Sequence, residues 1–114
     1  MSIKIYHNKQ CSKSRCAIEF LAEQNVEYEV VEYLKNPLNK EELKALIQLL
    51  GIQPEALVRK SEDIYKELFA DKKLTSAKWI AAMLKYPKLI ERPIVLNGNK
   101  AIIGRPVELI LTIL

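Results

Sequence analysis

Cysteine, histidine, glycine, tryptophan and arginine are all scarce in this chain. Its 114 residues include two Cys, one His, three Gly, one Trp and, of 18 basic side chains, only four Arg. Two cysteines cannot build the disulfide framework of a small secreted scaffold, and in a reducing compartment they are either reactive or inert thiols. One histidine with two cysteines does not supply the tetrahedral donor set of a zinc site, so no metal is expected. Ser12 and Ser14 lack the second histidine that a hydrolytic triad would need. No apolar run approaches the ~20 residues that cross a bilayer, so no membrane partner is expected. The opening MSIKIYHNKQC is too short and polar for a signal-peptide core, which points to a cytoplasmic location.

What is present argues for one folded domain over residues 1–114. Hydrophobic residues make up 49% of the chain and charged ones 28%, enough for a core and against disorder. The net charge of +4 is uneven. Residues 1–50 balance at seven basic and seven acidic side chains, whereas residues 51–114 carry eleven and seven. So small a surplus does not suit nucleic acid, which draws dense basic stripes, and fits a small anion better.

Periodicity gives the order of elements. Ile3 to Tyr6 predicts a strand, and Ala17, Ile18, Phe20 and Leu21 recur at helical spacing over about Ser12 to Gln24, with Asn25 as the stop. Tyr28, Val30 and Val31 make a second strand, broken at Lys35–Pro37. Asn39 and Glu42 form a capping pattern ahead of Leu43, Leu46, Ile47 and Leu50, and Gly51 closes that helix. Pro54 opens a short helix through Leu57, Ile64 to Phe69 forms another, and Thr75 caps a third running to about Tyr86 before Pro87. Pro93–Leu96 and Ala101–Ile103 flank Asn97-Gly98-Asn99, a hairpin signal. A last helix follows Gly104-Arg105-Pro106.

Two strands joined by a helix run parallel with a right-handed crossover, and the hairpin adds an antiparallel pair. The expected fold is therefore α/β: a four-stranded mixed sheet, β-α-β then β-β-α, with helices on both faces. This is the thioredoxin-like arrangement, here with a helical insertion over about 38–90.

Cys11 carries the chemical signal. It lies where a strand ends and a helix begins, among free backbone N–H groups and the positive end of the macrodipole, which together favour a thiolate. His7 and Lys9 before it, and Lys13 and Arg15 after it, add donors and positive charge. The plainer reading is an ordinary buried cysteine at the end of a strand. Cys16 follows in C-S-K-S-R-C, a spacing that turns the two side chains about 140° apart on a regular helix. It begins the apolar face of Ala17, Phe20 and Leu21, so core packing is expected, with a resolving cysteine as the alternative.

Arg59, Arg92 and Arg105 all fall at the ends of elements, while lysine occupies the exposed helical faces. A guanidinium offers a planar fork of donors that matches a tetrahedral oxyanion. Any one of them alone reads as a surface side chain; with a basic-flanked cysteine they read together as an oxyanion site. His7 either tunes the Cys11 thiolate or hydrogen-bonds to backbone.

These segments match a known pattern. Y-H-N-K-Q-C-S-K-S-R, E-Y-L-K-N-P, L-L-G-I, A-L-V-R-K, P-K-L-I-E-R-P-I-V and G-R-P-V-E, in that order, resemble the arsenate reductase (ArsC) family that uses glutathione and glutaredoxin. The resemblance spans essentially the whole chain. It implies a thioredoxin-like fold with a helical insertion and an oxidoreductase that reduces arsenate to arsenite. Cys11 would be the nucleophile, assisted by His7, while Arg59, Arg92 and Arg105 would cradle arsenate or a similar oxyanion. Ser14 and Arg15 would support the cysteine, and Pro93 would be the fold's cis-proline. Glutathione would be a cosubstrate and glutaredoxin a protein partner, with no tightly bound cofactor and a monomeric chain. The chain departs from the common pattern at Lys9, where proline is usual, and at Cys16. Two other functions share the fold: a glutathione-dependent thiol reductase of another substrate, and a Spx-like regulator that binds RNA polymerase. The latter typically carries C-x-x-C, which is absent here.

Overall fold

Alternation of Ile3, Ile5 and His7 with Lys4 and Tyr6 gives the first strand two unlike faces, and the sheet grows around it. The computed structural model describes residues 3–114; residues 1 and 2, part of the opening read above for a signal peptide, lie outside the described residues. The described chain divides into two compact units, one running to Asn36 and resuming over Arg92–Leu114, the other Pro37–Glu91.

The first unit holds β1 (Ile3–His7), α1 (Ser12–Glu23), β2 (Tyr28–Glu32), β3 (Ile94–Asn97), β4 (Lys100–Ile103) and a terminal 3-10 helix, Val107–Ile113. The sheet order is β2-β1-β3-β4, with β1 parallel to β2 and antiparallel to β3, and β3 antiparallel to β4. This is the four-stranded mixed sheet of a thioredoxin-like fold. Ile3 and Ile5 of β1 and Val95 of β3 pack against Ala17 and Leu21 of α1 and against Ile110 and Ile113 of the terminal helix. Asn25 ends α1's connection in the left-handed region at φ 57, which asparagine tolerates.

Chain termination differs in kind from the sequence reading, because the last helix is 3-10 rather than α. Its bonds are short-range, Leu109 N–H to Pro106 O at 3.0 Å and Thr112 Oγ1 to Leu109 O at 2.6 Å. The β-branched Val107, Ile110, Thr112 and Ile113 lower helix propensity there. The Asn97 side-chain amide donates to Ile113 O at 2.6 Å and ties this segment to the hairpin.

The second unit contains α2 (Lys40–Leu50), α3 (Asp63–Leu68) and α4 (Ser76–Lys85), with short 3-10 turns at Pro54–Leu57 and Pro87–Leu89. Asn39 and Glu42 close a reciprocal capping box at 2.8 and 3.2 Å, and Gly51 ends α2 at φ 68. Thr75 caps α4 by accepting from Lys78 N–H at 3.3 Å. Buried Trp79 is stacked on Tyr65 and tilted against Phe69, which itself meets Tyr86 edge-on.

Candidate active site

The sheet's register gathers chain ends at one edge of the first unit. Tyr6 near the end of β1 pairs with Ile94 at the start of β3, and Ile94 pairs with Ile103 at the end of β4. The loop leaving β1, the residues entering β3 and those leaving β4 therefore lie at the same end of the sheet. Cys11, Arg92 and Arg105 occupy those three connections.

The loop from His7 to Cys11 is held by its own side chains. Asn8 accepts from Gln10 N–H through Oδ1 at 3.0 Å, and its carbonyl accepts from Cys11 N–H at 2.9 Å. Asn8 N–H donates to the Oγ of fully buried Ser14 at 3.1 Å. Arg15 Nη1 donates to Lys9 O at 3.2 Å, tying the loop to the first turn of α1 from outside. Ser14 and Arg15 thus act on the loop that carries Cys11. Asn8 was not singled out from the sequence, although a polar Asn two residues before a backbone donor is the signature of an Asx turn.

Cys11 is the N-cap residue of α1, with extended backbone at φ −98 and ψ 120. Its side chain closes no short capping bond. Burial pushes its thiol up, but the Ser14 amide, the Arg92 side chain, the Lys13 amide and the Arg92 charge together outweigh this and bring it below the usual 9.0. The amides are those of the first helical turn, which have no intrahelical acceptor. Arg92 is itself buried. Arg105 Nη2 stands 3.5 Å from Cys11 Sγ, while its Nε donates to the Arg92 carbonyl at 2.6 Å. That second bond fixes the fork's direction.

Both Arg92–Pro93 and Arg105–Pro106 are cis peptide bonds, the first at the position expected for the fold's cis-proline. Gly104 lets the chain leave β4 closely packed: a Cβ there would meet Ile110 at 3.2 Å and Pro93 at 3.3 Å. Its N–H donates to Pro93 O at 2.9 Å, so the step into Arg105 is set by the ladder.

His7 points to the face covered by α1 and is buried, with Nδ1 lacking a hydrogen-bond partner among the described residues. Burial lowers its pKa; Glu32, its register partner on β2, raises it and Arg15 lowers it further. The neutral imidazole is the favoured form.

Arg59 belongs to the second unit. The Val58–Ile90 bridge and the Arg59 N–H bond to Leu89 O at 2.6 Å hold its backbone, and Nη1 pairs with Glu91 Oε1 at 3.1 Å. Nothing local in the sequence announced Glu91 as that partner.

Cys16 corrects an expectation. It is exposed, not packed into the core. The inward face of α1 is Ser14, Ala17 and Leu21, and Cys16 lies roughly 130° round the helix from its centre. It lines a cavity of about 470 Å³ with Lys13 and residues 104–108. Among the described residues, no cluster of three His, Cys, Asp or Glu is placed to hold a metal ion, and no helix is long and apolar enough to cross a membrane.

A thioredoxin-like sheet with a cysteine at the start of its first helix, two arginines acting on that cysteine and a cis-proline leading into β3 defines a class of thiol-bearing proteins. Comparison with known proteins narrows the class. The ArsC family model matches residues 6–113. The uncharacterized protein YfgD of Escherichia coli (strain K12) is 49% identical over 113 residues, covering 97% of this chain and 95% of that protein. A Neisseria meningitidis protein named arsenate reductase is 44% identical over 108 residues, 93% of this chain and 92% of its own length. Among solved structures, an arsenate reductase from Vibrio cholerae superposes with a TM-score of 0.94 at 46% identity, covering 100% of this chain and 98% of that one. The chain belongs to the ArsC family.

Proposed function

We propose that the chain reduces arsenate to arsenite through the Cys11 thiolate, in the cytoplasm and as a monomer. The observation that carries this reading is a thiol held below its usual pKa, with Arg92 acting on it and Arg105 Nη2 at 3.5 Å. A thiolate is the nucleophilic form, and guanidiniums beside it stabilise an incoming oxyanion and the charge that builds on it. Relatives named arsenate reductase support arsenate as that oxyanion. Arg59 is assigned to the same cradle on the family resemblance, and His7 assists as a neutral imidazole.

In the reaction, Cys11 Sγ bonds to arsenic(V) as one arsenate oxygen leaves as water. Glutathione, the cosubstrate, adds its sulfur to arsenic as a second oxygen leaves as water. The two sulfurs then couple to a Cys11–glutathione disulfide, their two electrons reduce arsenic, and one water adds back to arsenic as it departs as arsenite, so that one water is released overall. Glutaredoxin takes the glutathione from Cys11 and restores the thiol. No tightly bound cofactor takes part.

The test is turnover of arsenate with glutathione and glutaredoxin. Arsenite should form with the native chain and not with a folded Cys11→Ser variant, whose hydroxyl is a far weaker nucleophile. Thiol–disulfide exchange with glutathione but no arsenite would point to a thiol reductase of another substrate. Loss of both, with capture of RNA polymerase, would point to a regulator.

A further inference from the structure

The guanidinium of Arg59 meets a carboxylate that lies 32 residues away in the chain. Val58 and Ile90 form an antiparallel bridge, flanked on one side by Arg59 N–H to Leu89 O at 2.6 Å and on the other by Glu91 N–H to Leu57 O at 2.8 Å. Arg59 and Glu91 are therefore diagonal neighbours on one face of this short ladder, within reach of long side chains. Arg59 Nη1 donates to Glu91 Oε1 at 3.1 Å, with the two side chains 21% and 25% exposed. Both residues line a cavity of about 640 Å³, together with Gln53, Glu55, Lys60 and Ser61. The one-pronged bond takes a single donor of the five on a guanidinium, so a second acceptor can engage the rest of the fork.

We propose that Glu91 is a positioning residue for oxyanion binding: it aims the Arg59 guanidinium and moderates its charge. The proposal rests on the reading above that Arg59 belongs to the oxyanion cradle. A long side chain that is unordered before the anion arrives must be ordered on binding, at a cost in affinity. Glu91 orders Arg59 beforehand, from a backbone held by bonds on both sides of the Val58–Ile90 bridge. Its negative charge also opposes an approaching anion, so the contact that orients Arg59 keeps a bound oxyanion exchangeable. An ion pair this near the surface adds little to stability, which leaves preorganisation as what the contact contributes. Lys60 gives the contrast. Its pair with Glu55, also 3.1 Å, is about half exposed, where an ion pair orients little.

Phosphate, a tetrahedral oxyanion that thiols do not reduce, reports binding apart from chemistry when titrated into the full chain. Glu91→Gln keeps a carbonyl acceptor and loses the charge, so it should bind phosphate more tightly than the parent. Glu91→Ala loses both. The two variants carry the same charge, so their difference isolates the aiming of Arg59. Glu91→Ala should bind roughly two- to tenfold more weakly than Glu91→Gln, the effect of ordering one long side chain. That difference should vanish in an Arg59→Ala background, because Glu91 acts through Arg59. The KM for arsenate should follow the same order while Tm changes little. Glu55→Gln and Glu55→Ala, at the neighbouring pair, should bind alike. Equal affinity of the two Glu91 variants, a difference that survives Arg59→Ala, phosphate bound no more tightly by Glu91→Gln than by the parent, or a parent that binds no oxyanion would each overturn the proposal. If arsenate turnover shows one KM across the Glu91 variants, the positioning role is wrong and the proposed function stands. If phosphate affinities follow the expected order but no arsenite forms, the function is wrong and the positioning role stands.

Discussion

Ser14→Ala removes one oxygen atom from the interior of the first unit and isolates a buried donor. Ser14 is fully buried, and its Oγ accepts the Asn8 N–H at 3.1 Å, with Asn8 itself only 6% exposed. Truncation leaves that amide without an acceptor, which costs ~1–3 kcal/mol, and the space of a single oxygen is too small for a replacement water. For a chain of this length, about 4 °C of Tm accompanies each kcal/mol, so a fall of ~4–12 °C is expected. A second effect distinguishes this from an ordinary packing defect. Asn8 O also accepts the Cys11 N–H at 2.9 Å, so a displaced Asn8 moves Cys11 away from the Ser14 and Lys13 amides that favour its thiolate. The Cys11 titration should therefore rise toward 9.0. Thermal melts give the first quantity, and the pH dependence of alkylation in a Cys16→Ser background gives the second. Asn39→Ala, which removes an exposed cap worth ~1 kcal/mol, is the control and should lower Tm without moving the thiol. A Ser14→Ala protein with Tm within about 1 °C of the parent and an unchanged thiol titration would refute the reasoning.

Three further outcomes are expected. In the Cys16→Ser background, Cys11 should titrate below 9.0; its folded pKa is depressed, so its stabilisation is full above the unfolded value and is lost as pH falls through the folded one, a dependence that Cys11→Ser should erase in denaturation curves. His7 obeys the same sign because burial lowers its pKa: stability should be full above 6.5 and decline on acidification through the folded pKa, at up to ~1.4 kcal/mol per pH unit, and His7→Asn should flatten that slope. Lysine in place of Arg59, Arg92 or Arg105 keeps the charge but loses the bidentate fork, so each variant should raise the arsenate KM; three lysine variants as active as the parent would dismiss the oxyanion cradle.

Local signals in the sequence were reliable wherever a single turn of chain decides the outcome. The Asn39–Glu42 box, Gly51 in the left-handed region, the Thr75 cap and the turn at Asn97-Gly98-Asn99 each need only neighbouring residues to form. The misreading of Cys16 shows where this ends. Taking Ala17, Phe20 and Leu21 as the apolar face of α1 sets that face too near Cys16. In the structure Ser14 faces inward because the Asn8 amide satisfies its hydroxyl, and the face shifts so that Cys16 meets solvent. A polar side chain can therefore belong to the inward face when a backbone partner six residues away satisfies it.

The contacts that give Cys11 its character lie beyond any window of sequence, since Arg105 is 94 residues from it. Yet the devices that bring them together are individually local. A strand running into a helix start exposes amides at Cys11. Arg92 sits one residue before the cis-proline that opens β3, and Gly104 lets the exit from β4 pass against Pro93 and Ile110. What unites them is the direction of pairing. Because β3 runs antiparallel to β1, its entry lies beside β1's exit; because β4 runs antiparallel to β3, its exit returns to the same edge. Reversing either pairing would carry one arginine to the far end of the sheet, about 10–13 Å away for strands of this length. The hairpin signal at Asn97-Gly98-Asn99 fixes the second pairing, and burial of Ile5 opposite Val95 sets the register of the first. The polarity of the thiol site is therefore a consequence of hydrophobic register in the sheet, which no charged residue of the site determines.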